Sequence, residues 1–140
     1  MARSRRRQTQ VPPQRLILDS GAIIALSRDD PRARALLASA WQAGADVSIP
    51  SMALAETVRG RAKDAPVNQI IKAIGEVTSV GEVTGRVAGV LLGAAKSSQT
   101  IDAVIVATAI EAGGGVIVTG DPDDLSALAD GHPEVIIQPL

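Results

Sequence analysis

Four short aliphatic runs, Leu16-Ile17-Leu18, Val47-Ser48-Ile49, Val116-Ile117-Val118 and Val135-Ile136-Ile137, are separated by stretches patterned as helix. Runs this short and this rich in branched residues read as strands. Strands that alternate with helices are joined by crossovers, which makes the sheet mostly parallel and lays helices over both of its faces. The chain is therefore expected to be an α/β domain, with a further short strand near Val77 to Val80. Its 140 residues suffice for one such domain. The hydrophobic 46% is nearly all Ala, Val, Leu and Ile, with one Trp and no Phe or Tyr, so the core must be aliphatic.

The intervening segments carry helix signals of different strength. Asp30-Pro31 pairs a capping residue with Pro at the first helical position, and Leu36, Leu37, Ala40 and Trp41 give the helix an apolar face. Ser51 is placed to cap a helix carrying Met52, Leu54, Glu56 and Arg59. Helices are also expected from Val67 to Ile74 and from Val83 to Lys96. Along the second, Gly85, Gly89 and Gly93 recur every fourth residue and suggest close helix packing. Thr100 to Ala112 is apolar on nearly every side and must be buried. Gly113-Gly114-Gly115 lacks the Lys and the spacing of a phosphate loop and reads as a turn. Residues 1–14, with four arginines in the first seven positions and a Pro pair, read as a flexible basic leader, leaving 15–140 as the folded domain.

Absences narrow the chemistry. With no cysteine there is no disulfide, thiolate nucleophile or cysteine zinc site. The single histidine, His132, sits in a Gly-His-Pro turn, so no serine triad can be assembled around it. The basic opening is followed by Pro12, Pro13, Arg15 and Asp19 rather than an apolar stretch, and no segment has the length of a membrane helix. A cytoplasmic protein is expected. Charge is distributed unevenly: the first 96 residues hold all 14 Lys and Arg against 8 acids, the last 44 hold 7 acids and no base. Carboxylate is what remains in useful positions.

Asp19 and Asp121 each follow the apolar part of a strand, at the edge where parallel sheets bind ligands. Glu56 and Asp102 lie on helices, and Asp102 opens the all-apolar one, where an unpaired charge is costly. Taken singly, Asp19 and Asp121 also suit helix caps, Asp102 suits the positive end of its helix, and Glu56 suits an exposed helix surface. Taken together, acids that converge repel one another unless a cation bridges them. Ligands that are all oxygen favour Mg²⁺ or Mn²⁺ over zinc.

The segments Leu-Ile-Leu-Asp19-Ser-Gly-Ala, Ala-Leu-Ala-Glu56-Thr, Ile-Asp102-Ala-Val-Ile-Val-Ala-Thr-Ala and Val-Ile-Val-Thr-Gly-Asp121-Pro-Asp-Asp-Leu, in this order and spacing, resemble the PIN-domain nucleases, and within them the VapC toxins of bacterial toxin–antitoxin pairs. The resemblance spans about residues 15 to 138. It implies a PIN-like three-layer sandwich with a mostly parallel, about five-stranded sheet, Mg²⁺-dependent cleavage of RNA, a cognate VapB-type antitoxin and a homodimer. It assigns catalytic and metal-holding roles to Asp19, Glu56, Asp102 and Asp121, adds Asp124 as a further metal ligand, and matches Thr119 to a small polar position. The basic half would then grip RNA, with Arg59 and Arg61 the first candidates and Arg28, Arg32 and Arg34 next. Two other readings compete. A phosphatase of the haloacid dehalogenase type needs an Asp two residues after Asp19, where Gly21 stands. A non-catalytic module would use the acidic pocket only to dock a basic partner peptide.

Overall fold

A computed structural model describes residues 15–140; the leader expected over residues 1–14 lies outside them. Five strands, β1 (Arg15–Leu18), β2 (Asp46–Pro50), β3 (Val77–Thr78), β4 (Gly115–Thr119) and β5 (Val135–Pro139), alternate with seven helices: α1 (Ser20–Ser27), α2 (Pro31–Gln42), α3 (Ser51–Thr57), α4 (Ala65–Ile74), α5 (Glu82–Ala95), α6 (Thr100–Glu111) and α7 (Pro122–Leu128). Every strand pair is parallel and the order is β3-β2-β1-β4-β5. This is the α/β sandwich expected from the alternation of runs.

The period-two pleat divides the central strands β1 and β4 between two cores. Leu16, Leu18, Val47, Ile49 and Val118 pack with Ala22, Ile23, Leu26, Leu37 and Ala53 on the side of α1 to α4. Ile17, Ile117 and Val135 pack with Ala88, Leu91, Leu125 and the α6 residues on the other. Residues Ala103 to Ala109 of α6 are all buried, as its lack of a polar face requires. Among the described residues no single helix is long and apolar enough to cross a membrane.

Several local expectations are corrected. Ser51 is the first residue of α3 rather than its cap: β2 passes directly into the helix, Pro50 occupies the cap position, and no side chain bonds the first turn. The helix stops at Thr57, because Val58 is extended and Gly60 turns left-handed at φ +73, so Arg59 lies in a loop. Gly85, Gly89 and Gly93 do not serve packing. α5 buries Thr84, Ala88 and Leu91, which turns the glycines outward, and a Cβ on any of them would meet nothing within 4 Å.

The Gly113-Gly114-Gly115 turn is required by geometry at its centre. Gly114 has φ +109, and a Cβ there would come 2.7 Å from the carbonyl oxygen of Glu134. Gly114→Ala is expected to cost on the order of 2 kcal/mol or more from combined strain and overlap. Gly89→Ala, on an open helix surface, is expected to stabilise by ~0.5–1 kcal/mol. Urea unfolding of the two variants reads both signs; a stabilised Gly114→Ala would refute this account of the turn.

Candidate active site

β1 and β4 are neighbours in the middle of the sheet, with Leu18 opposite Val118, yet the chain leaves β1 toward β2 and leaves β4 toward β5. Divergence of this kind opens a crevice at the carboxyl ends of the two strands. Its floor is tight. The Asp19 amide donates to the carbonyl of Val118 at 3.2 Å, and a Cβ on Gly21 would lie 3.0 Å from the backbone nitrogen of Gly120. Only Gly allows α1 to start so close to the β4 end.

Asp19 is 5% exposed, and its Oδ1 accepts from the Ala22 amide at 3.0 Å, capping α1. The capping explanation of this residue is thus correct, but it engages one oxygen. Burial pushes the Asp19 carboxyl above its ordinary range; hydrogen bonds from the Thr119 hydroxyl and the Ala22 amide oppose the shift, and the charge of Glu56 adds to it. Thr119, fully buried, also accepts the Asp121 amide on Oγ1 at 2.8 Å. One hydroxyl therefore ties the acid after β1 to the backbone of the acid after β4.

Asp121 occupies the cap position of α7, but its side chain makes no capping bond. Its carboxyl too is raised, first by desolvation and then by its hydrogen bond and repulsion with Asp124. Asp102 is the third residue of α6, which the surrounding core holds rigid. It is pushed up to about 6, by desolvation first and then by the charges of Asp121, Glu56, Asp124 and Asp19. The N-terminal dipole of α6 favours the charged form by only ~0.3–1 kcal/mol, too little to reverse burial among four like charges.

Asp19, Glu56, Asp102 and Asp121 line a single cleft of about 470 Å³. Four acids spread over 103 positions of the sequence meet at one sheet edge. Asp124 is not among the lining residues, but one carboxylate oxygen each from Asp102, Asp121 and Asp124 lie within 4.8 Å of one another. Opposed ligands of a Mg²⁺ stand about 4 Å apart, so small side-chain adjustments would close these oxygens on one hard cation. None of the ion pairs among the described residues includes any of these five acids. Oxygen-only donors, mutual repulsion and the lack of a paired base among the described residues all fit a divalent metal.

The arginines are placed otherwise. Arg59 and Arg61 are exposed in the loop after α3 and do not line the cleft. Arg59 donates from Nη1 to the carbonyls of Ala55 and Val58, both at 2.9 Å. Arg28 and Arg32 are exposed as well, and Arg34 pairs with Asp29 at 3.4 Å. The cleft wall includes Ser20, Ser98, Gln99 and Thr100, which sequence reasoning passed over. Their only signal is adjacency: Ser20 follows Asp19, and Ser98 to Thr100 lead into the helix of Asp102.

A PIN domain family model matches residues 16–131. No curated protein matches the sequence closely enough to count. Among solved structures the chain is similar to VapBC2 from Rickettsia felis bound to a promoter DNA fragment, with a TM-score of 0.71 at 15% identity over 90% of this chain and 98% of that one. It is also similar to a toxin–antitoxin complex from Klebsiella pneumoniae, with a TM-score of 0.67 at 20% identity over 86% and 95% of the two chains. FitAcB from Neisseria gonorrhoeae gives a TM-score of 0.64 at 19% identity over 88% and 96%. With the family match spanning most of the sequence and the acids gathered at the carboxyl edge of the sheet, the chain belongs to the PIN domain family.

Proposed function

We propose that this chain is a Mg²⁺-dependent endoribonuclease acting as a VapC-type toxin in the cytoplasm, held in check by a VapB-type antitoxin and working as a homodimer. The observation that carries the reading is the meeting of Asp19, Glu56, Asp102 and Asp121 in one cleft, with no basic residue among the described residues paired to any of them. The toxin–antitoxin identity of the similar structures supports the partner assignment. A basic side chain of the antitoxin inserted among the carboxylates would pair with them and occlude the site, so docking and catalysis use the same acids.

Asp19, Asp102 and Asp121, with Asp124, would hold Mg²⁺ or Mn²⁺. Bound there, the ion lowers the pKa of water and offsets charge developing on the scissile phosphodiester. The protein's own contribution is rigidity. Asp19 is clamped by Ala22 and Thr119, and Asp102 rides on a helix that cannot shift within its core. Glu56, exposed on the cleft wall, is available to accept a proton from the attacking water. The hydroxyls and amide of Ser98, Gln99 and Thr100 offer uncharged contacts to the RNA, which a wall of acids alone would repel.

Asp19→Asn and Asp102→Asn should each lower Mg²⁺-dependent cleavage of single-stranded RNA by at least ~10²-fold while leaving the circular dichroism spectrum unchanged. Full activity in either purified variant would remove that acid from the mechanism. If the unaltered chain turns over no RNA with any divalent ion, the cleft is a docking site and nothing more.

The raised acids also set a pH dependence. Between the ordinary carboxylate range and about 6, folded Asp102 holds a proton that the unfolded chain has released, so its ionisation weakens the metal-free fold as pH rises through that window. After allowance for solvent screening the cost is on the order of 1 to 2 kcal/mol. Metal-free Asp102→Asn should therefore match the unaltered protein in Tm near pH 3.5 and exceed it by roughly 5 °C at pH 7. Added Mg²⁺ should raise the Tm of the unaltered protein and leave the variant nearly unmoved. A Tm difference independent of pH would show that Asp102 does not titrate in the fold.

A further inference from the structure

One carboxylate outside the cleft has an unusual set of partners. Oδ2 of Asp64 accepts three backbone N–H bonds, from Arg59 at 2.8 Å, Gly60 at 2.8 Å and Arg61 at 3.1 Å. The residue is 8% exposed and ends the single 3₁₀ turn Ala62–Asp64 that leads into α4. Successive amides converging on one point form a nest of the kind that binds anions, and here the chain supplies its own. The bonds close a loop that starts at Val58, directly after α3, the helix of Glu56. Arg59 and Arg61 flank the left-handed Gly60 on this loop, and among the described residues Arg59 engages only Nη1, on the carbonyls of Ala55 and Val58.

Resting on the ribonuclease reading, we propose that Asp64 is a positioning residue for RNA: by gathering the amides of Arg59, Gly60 and Arg61 it holds the two exposed arginines in a fixed arrangement beside the α3 wall of the cleft, where they grip the phosphate backbone. A three-fold accepted carboxylate also keeps its charge to low pH, and that of Asp64 is held below its ordinary range first by the Arg59 and Arg61 amides.

Two effects of removing Asp64 have opposite signs, which makes the idea testable. Deleting a negative charge beside two arginines strengthens attraction to RNA if charge alone matters. Releasing the loop weakens it if position matters. The experiment measures binding of a fluorescent single-stranded RNA oligonucleotide by anisotropy over a salt series, in the full chain carrying Asp102→Asn and with Mg²⁺ present. The expected result is that Asp64→Ala weakens binding about 5- to 10-fold and makes the slope of log K against log salt shallower by about one, the loss of one to two phosphate contacts. Asp64→Asn, which keeps an acceptor oxygen and removes the charge, should bind within about twofold of the parent. Binding by Asp64→Ala that equals or exceeds the parent's overturns the proposal, and so does a folded Asp64→Asn as weak as Asp64→Ala. If Asp64→Ala does not fold, Gly60→Val strains the same loop at a position where a Cβ meets nothing within 4 Å; weaker binding with a shallower slope supports the proposal, and unchanged binding overturns it. Absence of cleavage by the unaltered chain would sink the ribonuclease reading, whereas a cleaving chain whose RNA binding ignores Asp64 would sink only this inference.

Discussion

Repulsion among carboxylates that the fold does not allow to separate is the constraint around which the rest of this structure is organised. Asp19 cannot swing away because it is buried and committed to the first turn of α1. Asp102 cannot because α6 is enclosed on all sides by aliphatic side chains. An exposed acid relieves repulsion by turning into solvent, but these two are held in place, and burial first, with the neighbouring charges adding to it, raises both carboxyls above their ordinary range. A site of this kind is stabilised by whatever cation enters it, which links folding to occupancy.

The topology explains why the acids meet at this edge. Crossovers in a parallel sheet bring every strand's carboxyl end to one side, and helices running back antiparallel present their N-termini there. Asp19 and Asp121 therefore arrive from strand ends, while Asp102 arrives from the start of a helix. Thr119 and Gly21 are the small parts that make the approach close: one hydroxyl bridges the two strand-end acids, and one missing Cβ lets α1 begin against the Gly120 backbone.

The strands, the buried α6 and the strand-end acids were legible because each depends on local pattern: period-two burial, an all-apolar helix, an Asp at the end of an apolar run. The direction of error is equally instructive. Ser51 and the glycines of α5 looked like a cap and a packing stripe, and both readings failed because tertiary context decides them: β2 runs straight into the helix and puts Pro50 at the cap position, and the buried face of α5 is set by Thr84, Ala88 and Leu91. Asp121 carries every sequence mark of a capping residue, yet its side chain caps nothing. Ser98, Gln99 and the Asp64 clamp left no pattern at all, since each is defined by partners that only the folded loop brings near.

Asp64 and Asp102 show how one residue type is sorted into two roles by its hydrogen bonds. Asp64 ends a 3₁₀ turn, Asp102 lies in the first turn of α6, and both are at least partly buried. Asp64 receives three amides and is lowered; Asp102 faces acids and is raised. The first is satisfied by three amides and holds structure together, while the second has no ion-pair partner among the described residues. The same sorting gives meaning to the uneven charge of the sequence. The acids of the last 44 residues supply Asp102 and Asp121 to the cleft and Asp124 beside them, where a nearby lysine or arginine would have neutralised them. Among the described residues, Arg59 and Arg61 stand exposed on a loop outside it, and Arg32 and Arg34 are exposed on α2. Segregating the two along the chain leaves the cleft without an ion-paired base among the described residues, so that its charge is open to a cation from solution.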